Sequence, residues 1–310
     1  MKIVALAGGV GGAKLADGLS QNLAADELTV IVNVGDDFEH LGLRICPDLD
    51  TVCYTLAKLA NPDTGWGRSN ESWTVYEQIV ELGGPDWFHL GDKDIATHLE
   101  RTHLLAEGMP LSKIVRLFCQ KWGISVRVLP VSDDPIPTMV ATKEYGELGF
   151  QDYFVRNRCE PVVTGFRFAG ISEAQLIPGI KEAIREADGI IICPSNPYVS
   201  IAPILAVPEM MREVLKKKVV AVSPIIGGKA VKGPAAKMFQ ELGYEASPLA
   251  VARFYQDILS GFVLDDVDAQ FTEEIQRAGI ISLTTNTLMQ TIEDRKRLAG
   301  EILTFCEDVF

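Results

Sequence analysis

This chain of 310 residues has no excess of basic side chains: 29 Lys and Arg stand against 42 Asp and Glu, a net charge of −13. Affinity for nucleic acid rests on clustered cations, so no nucleic-acid surface is expected. A bound nucleotide is not excluded, because a few local cations and backbone N–H groups hold phosphate in an acidic protein. Cysteine is sparse. Cys46, Cys53, Cys119, Cys159, Cys193 and Cys306 form no C-x-x-C pair, and no histidine stands at zinc-finger spacing. Several lie in apolar runs (IIICP, LFCQ), where they pack as small hydrophobes, and a fold of this size does not need disulfides. No apolar run reaches about 18 residues, so no membrane span is expected. The opening MKIVALAGG lacks the apolar length and cleavage site of a signal peptide, which makes a reducing cytoplasm the expected location. Internal repeats and low-complexity segments are also missing.

What is present is a core former. Hydrophobic residues make up 47% of the chain, and long disorder is not expected. Ile3–Ala7 is a short apolar strand, GGVGGAK (8–14) follows, and a helix is expected from about Ala13 to Leu23. Leu28–Val34 completes a βαβ unit. Its hydrophobicity is continuous rather than alternating, as in a parallel strand buried on both faces. Further apolar strands are expected at Ser125–Pro130, Gly189–Cys193, Lys218–Ser223 and Phe262–Asp265, with an edge strand at Ile280–Thr285. Thr138–Thr142 and Glu147–Phe150 suggest a hairpin, and Phe154–Arg158 leads toward an irregular strand near Pro161–Phe168.

The fold class is therefore α/β, a doubly wound, mostly parallel Rossmann-like sheet. Residues 51–122 interrupt it with helical spacing at Thr51–Leu59, Ser72–Leu82, Lys93–Glu107 and Leu111–Trp122. The expected division is a nucleotide-binding core, 1–50 and 123–310, with a helical insertion, 51–122.

Polar or glycine-rich loops recur where apolar strands end: GGVGG, GDD, SDD, PSNP and PIIGG. In an open α/β sheet such loops line one edge and bind ligand there. After Val34 come Asp36 and Asp37, then Asp48 and Asp50 in a loop opened by Pro47. Gathered acids repel one another unless a cation or polar ligand group sits among them, which suggests Mg²⁺ facing a phosphate. Each acid also has an ordinary alternative: Asp36 as a turn residue, Asp50 as the cap of a helix starting at Thr51, Asp37 and Asp48 as solvated side chains.

GGVGGAK would let backbone N–H groups approach an anion at a helix N-terminus. It is neither a Walker A loop nor a complete dinucleotide fingerprint, since Lys14 stands where a third glycine belongs. A tight turn without ligand is the alternative. PSNP offers Ser195 and Asn196, or is an Asn-Pro turn. PIIGGKAVKGPA offers Gly227 and Gly228 with Lys229 and Lys232, a second anion site or solvated lysines. In WFHLGDKDIATH, Trp87 and Phe88 would stack on a flat ring or join a core, and Asp92 or Asp94 would cap the following helix. His98 and His103 read as structural.

Taken together, GGVGGAK, NVGDD, RICPDLDT, GWG, DWFHLGDKDIATH, LPVSDD, PSNPYVSIAPILAVP and SPIIGGKAVKGPA make the chain resemble the 2-phospho-L-lactate transferases of coenzyme F-420 biosynthesis. The resemblance covers most of the chain; residues past about 255 carry no distinctive motif. It implies a donor, lactyl-2-diphospho-5′-guanosine or a relative built on phosphoenolpyruvate. It implies an acceptor, the deazaflavin Fo (7,8-didemethyl-8-hydroxy-5-deazariboflavin), and the products GMP and F-420 without glutamate. Mg²⁺ is the implied cofactor, with Asp36, Asp37 and Asp50 as its ligands and as the catalytic set. Asp50, Thr51, Trp87, His89 and Asp92 would bind Fo. Gly9, Gly11, Gly12, Lys14, Ser195, Asn196, Gly227, Gly228, Lys229 and Lys232 would hold the guanosine diphosphate part. A homodimer and small-molecule substrates are the implied partners. The competing reading is a nucleotide-sugar-binding metabolic regulator of related fold. A nicotinamide-dependent oxidoreductase fits least well, because the third glycine and a hydride-site partner are missing.

Overall fold

The computed structural model describes residues 1–310. Seven strands form one all-parallel sheet: β1 (Ile3–Ala7), β2 (Leu28–Val32), β3 (Arg127–Pro130), β4 (Gly189–Ile192), β5 (Lys218–Val222), β6 (Gly261–Leu264) and β7 (Ile281–Thr284). Their spatial order is 3-2-1-4-5-6-7. The order reverses beside β1, where Ile3 pairs with Leu28 on one side and Gly189 on the other. A crevice opens at such a reversal, beyond the carboxyl ends of the strands. The five inner strands consist almost wholly of buried apolar residues, as a sheet covered on both faces requires, and the edge strands β3 and β7 are more exposed.

Helix α1 runs Gly9–Ser20, so it starts inside the glycine loop rather than at Ala13. Helix α2 spans Pro47–Leu56, with Pro47 in its first turn, where a missing N–H costs nothing. The helix therefore begins four residues before Thr51. Asp48 and Asp50 lie in its first turn, near the positive end of its dipole. α2 packs on α1 through Leu49, Val52 and Cys53, all part of the main core of 71 buried residues.

Three more helices precede β3: α3 (Thr74–Glu81), α4 (Asp92–Ala106) and α5 (Leu111–Lys121). α5 shares the main core through Leu111, Val115 and Cys119, and joins α4 in a small cluster of Leu104, Ile114 and Phe118. α3 buries no side chain.

Beside the sheet, Thr138–Thr142 pairs antiparallel with Gly146–Gly149 and with Val163–Phe168. The segment leading toward the expected strand near Pro161–Phe168 contains a wide helical turn, Asp152–Arg156, and the strand itself is Val163–Phe168. The stretch between Asp37 and Asp48 forms a hairpin, Phe38–His40 with Leu43–Ile45. The last helix, Ile292–Val309, starts at a capping box formed by Thr291 and Asp294.

Candidate active site

A cavity of about 760 Å³ lies across the carboxyl ends of the strands, over the reversal point. The glycine loop, the acids of α2, the aromatic segment before α4, and the loops after β4 and β5 all border it. A shallow groove of similar volume along the last helix, near Lys296 and Glu301, has no convergent functional groups.

At one end, α1 points its N-terminus into the cavity. Gly8 donates to Ser195 Oγ (3.2 Å), and that hydroxyl donates to Gly8 O (2.8 Å). A Cβ on Gly11 would lie 2.2 Å from Pro194 O, and one on Gly12 would lie 2.6 Å from Ser195 Oγ. These glycines bring the helix onto the loop after β4. Gly9, Gly11, Lys14, Ser195, Asn196 and Lys232 line the cavity, but Gly12 does not, so its place is in packing. The first-turn N–H groups of a helix lack intrahelical partners. Gly9 spends its own on Asp48 Oδ1 (2.5 Å), while Val10 and Gly11 border the cavity.

Lys14 is half-buried and donates to Met289 O (2.6 Å). Burial lowers its pKa, with Arg295 and Lys232 nearby adding to the effect. Lys232 reaches Thr64 O. Gly227, Gly228 and Lys229 stand outside the cavity. They form a tight hairpin turn in which both glycines take positive φ and Gly227 donates to Asp268 Oδ2 (2.9 Å). Ile226, Val231 and Lys232 of that segment line the cavity instead. Asn196 faces the site, with its carbonyl committed to Tyr198 N–H (3.0 Å) as a cap.

The four acids separate into two sets. Asn33, at the end of β2, donates its amide to Asp36 Oδ1 (3.3 Å), Asp48 Oδ2 (2.9 Å) and Val199 O (3.1 Å). Asp36 and Asp48 are both buried, and neither has an ion-pair partner. Burial, then Asp48 and Asp37, holds Asp36 well above the usual carboxylate range. Burial likewise pushes Asp48 up to about 6, against the pull of Asn33 and Gly9 N–H. A pair of hard oxygen donors with no cation of its own suits a hard divalent ion.

Asp37 and Asp50 are held differently. Arg44 Nη2 lies 3.3 Å from Asp37 Oδ2, and Asp37 does not line the cavity. Burial still raises it to about 7, with Arg44 opposing. Asp50 does line the cavity. The fully buried Arg101 grips it with both terminal nitrogens, Nη1 at 3.0 Å from Oδ2 and Nη2 on Oδ1. Burial raises the pKa of Asp50, opposed by Arg101 and His98.

His98 Nδ1 is 3.2 Å from Arg101 Nη1, His98 Nε2 is 3.4 Å from Asp94 Oδ1, and Tyr54 donates to Asp94 Oδ1 (2.7 Å). Asp50, Asp94 and His98 each place a ligand atom within 4.8 Å of the others. The guanidinium already supplies the positive charge that a cation would bring to this set. Of the expected ligand trio, Asp36 has no cation partner while Asp37 and Asp50 are arginine-bound, and Asp48 shares the Asn33 amide with Asp36.

The far wall is aromatic. Trp87 packs edge-on to His40 (5.2 Å between centroids) and lies under Arg156 (5.8 Å), and Phe88 sits 4.8 Å from Phe38. Thr51, Trp87 and His89 border the cavity, with His89 4.7 Å from Tyr76. Asp92 does not. It is exposed and accepts the N–H groups of Thr74 (3.2 Å) and Val75 (3.0 Å), capping the start of α3.

Sequence reasoning missed the wall residues Phe150, Gln151, Arg158 and Thr287–Met289, and the two residues that hold the acids from behind, Asn33 and Arg101. One signal for Arg101 was available, because Asp94, Thr97, His98, Arg101 and Leu104 fall on a single helical face, the buried one. The 287–289 segment carried none. Asp265 positions it by accepting both Thr287 N–H (2.8 Å) and its hydroxyl (3.0 Å).

Comparison with known proteins bears on this geometry. Residues 3–295 match the family model described as 2-phospho-L-lactate transferase CofD. A phosphoenolpyruvate transferase of Streptomyces griseus is 42% identical, with 100% of this chain and 99% of that protein aligned. A 2-phospho-L-lactate transferase of Methanosarcina mazei is 41% identical, covering 96% and 98%. In three dimensions, a UPF0052 family protein of Bacillus halodurans superposes with a TM-score of 0.64 at 15% identity, over 97% of this chain and 98% of that one. The last is a likeness of fold.

Proposed function

Since this chain belongs to the 2-phospho-L-lactate transferase family and is a transferase, we propose that its substrates are lactyl-2-diphospho-5′-guanosine and Fo. The terminal ribityl hydroxyl of Fo attacks the phosphorus on the lactyl side of the diphosphate. A new P–O bond forms, the P–O bond to GMP breaks, and F-420 without glutamate is released. The observation that carries this reading is the single cavity itself. It joins a helix N-terminus, an unpaired buried acid pair and an aromatic wall.

Such transfer depends on positioning and charge neutralisation more than on covalent help. Val10, Gly11, Lys14 and Lys232 hold the diphosphate, and the loop from Ser195 holds the guanosine side. Asp36 and Asp48, oriented by Asn33, are the residues that fit Mg²⁺. Bound there, Mg²⁺ would neutralise charge on the diphosphate oxygens. Asp50, fixed by Arg101, accepts the hydroxyl proton. Thr51, Trp87 and His89 carry the deazaflavin. We take the working unit to be a cytoplasmic homodimer, which light scattering at twice the 33.9 kDa chain mass would check. No helix is long and apolar enough to cross a membrane.

A second donor is favoured by the relatives named phosphoenolpyruvate transferase, which are 41–45% identical. It is the enolpyruvyl analogue, poorer by two hydrogens. The test is mass spectrometry of purified protein with Fo, Mg²⁺ and each donor in turn. Phospholactyl-Fo with GMP release, abolished by EDTA, is the expected result. Product from the enolpyruvyl donor alone changes the three-carbon acid. No product from either, despite tight guanine-nucleotide binding, overturns the transferase reading in favour of a regulator.

A further inference from the structure

Three flexible cations line the cavity: Lys14, Lys232 and Arg158. Lys14 and Lys232 stand together at the glycine-loop end, close enough for each to feel the other's charge, and both are anchored on backbone carbonyls. Arg158 stands elsewhere. It belongs to the wall of Phe150, Gln151 and Phe154, which meets the acid pair where Gln151 Nε2 reaches Asp36 O (3.4 Å). The same segment carries Arg156, which lies over Trp87. Arg158 thus stands on the wall between the acids and the aromatic end.

The guanidinium of Arg158 has no ion-pair or hydrogen-bond partner, unlike those of Arg44 and Arg101. Its backbone is unusual. Arg158 and Cys159 take φ of +49° and +58°, two consecutive left-handed residues with side chains. Such conformations persist where surrounding structure over-determines them, and they gather at ligand sites. Here Asn157 Nδ2 holds Asp152 O (2.8 Å), and Cys159 N–H holds Tyr153 O (3.0 Å). The turn is pinned on both sides of Arg158.

We propose that Arg158 binds the carboxylate of the three-carbon acid on the donor. This inference rests on the transferase reading above. The phosphorus under attack must lie near Asp36 and Asp48, with the diphosphate running toward Lys14 and Lys232. The acid it carries then extends toward the wall that holds Arg158. Every other cation in the cavity is at the diphosphate end, and the planar guanidinium fork matches a carboxylate bidentately. The residue therefore selects donors bearing a 2-carboxylate, whether lactyl or enolpyruvyl.

The test compares two donors on wild type and Arg158→Gln, by calorimetric affinity without Fo and by turnover with it. One donor is lactyl-diphosphoguanosine. The other is isopropyl-diphosphoguanosine, which replaces the carboxylate by methyl. Wild type should prefer the lactyl donor by about a hundredfold, and Arg158→Gln should lose nearly all of that preference. GDP affinity should be unchanged, and Arg158→Lys should keep part of the preference.

Several results would overturn the assignment. They are wild-type-like selectivity in Arg158→Gln, equal loss on both donors, or a wild type that does not discriminate. If wild type binds the lactyl donor selectively but transfers nothing to Fo, the transferase reading fails while Arg158 stands. If it binds neither donor, both fall.

Discussion

Two buried carboxylate sites lie at the same cavity, and they are solved in opposite ways. Asp50 is neutralised inside the protein by Arg101, within a network that extends through His98 and Asp94 to Tyr54. Asp36 and Asp48 have no cation, only neutral donors: the amide of Asn33 on both, and Gly9 N–H on Asp48. Burying a charge without a partner is costly, and natural folds leave it so only where something else supplies the compensation. The difference separates a group that the fold neutralises from a pair that the proposed Mg²⁺ would neutralise.

The sharpest way to break this contrast is Asp36→Asn. It should reduce transfer by about a thousandfold, with Fo affinity retained. Mn²⁺ titration should show the divalent ion lost in this variant and kept in Asp50→Asn. Equal metal affinity in both would erase the distinction between the two sites.

Next in size is Arg101→Leu. It strands Asp50 in the interior and should destabilise the protein by about 3–5 kcal/mol, read from denaturant midpoints. Stability like that of wild type would mean that Asp50 does not depend on Arg101. Asp50→Asn should lower transfer about a hundredfold. Because Arg101 then faces an amide, it should also cost about 1–3 kcal/mol. The guanidinium behind Asp50 is what gives this variant a stability cost.

The smallest effect concerns stability against pH. Asp36 has a raised pKa in the fold. Its contribution is therefore full below the ordinary carboxylate range and is lost as pH rises through the raised value. Asparagine has no such loss. The metal-free Asp36→Asn variant should melt on the order of a few degrees above wild type at about pH 8, and the gap should narrow toward about pH 4. Metal-free melting curves that run parallel at all pH values would remove the burden assigned to Asp36.

The sheet was legible because its strands are continuous apolar runs closed by glycine or polar loops, and the expected edge strand at Ile280–Thr285 is β7. The start of α1 was not legible. Four glycines in seven residues argue against a helix on propensity, and only the approach of Pro194 and Ser195 explains them. The motif ends of the cavity could be read as well, since Gly9, Lys14, Asp36, Asp50, Trp87 and Ser195 all border it. What sequence could not supply was pairing across distance. Nothing near Asp50 announces Arg101, fifty-one residues on, and nothing near Lys14 announces Met289. The partners of Asp37 and Asp92, Arg44 and the first N–H groups of α3, were hidden for the same reason.

The two chain ends are bound into one another. β1 pairs with β4, α1 presses Gly18 against the carbonyl of Arg295, and the Phe310 ring fills the space beside Gly189. A ribosome working at 5–20 residues per second needs roughly 15–60 s to deliver a chain of this length. Early in that time the first strand gains β2 and the first helix gains α2, but β4 and the last helix, which cover their other sides, come only later. The glycine loop, which packs on Pro194 and Ser195, is therefore completed only after more than half of the chain has been made.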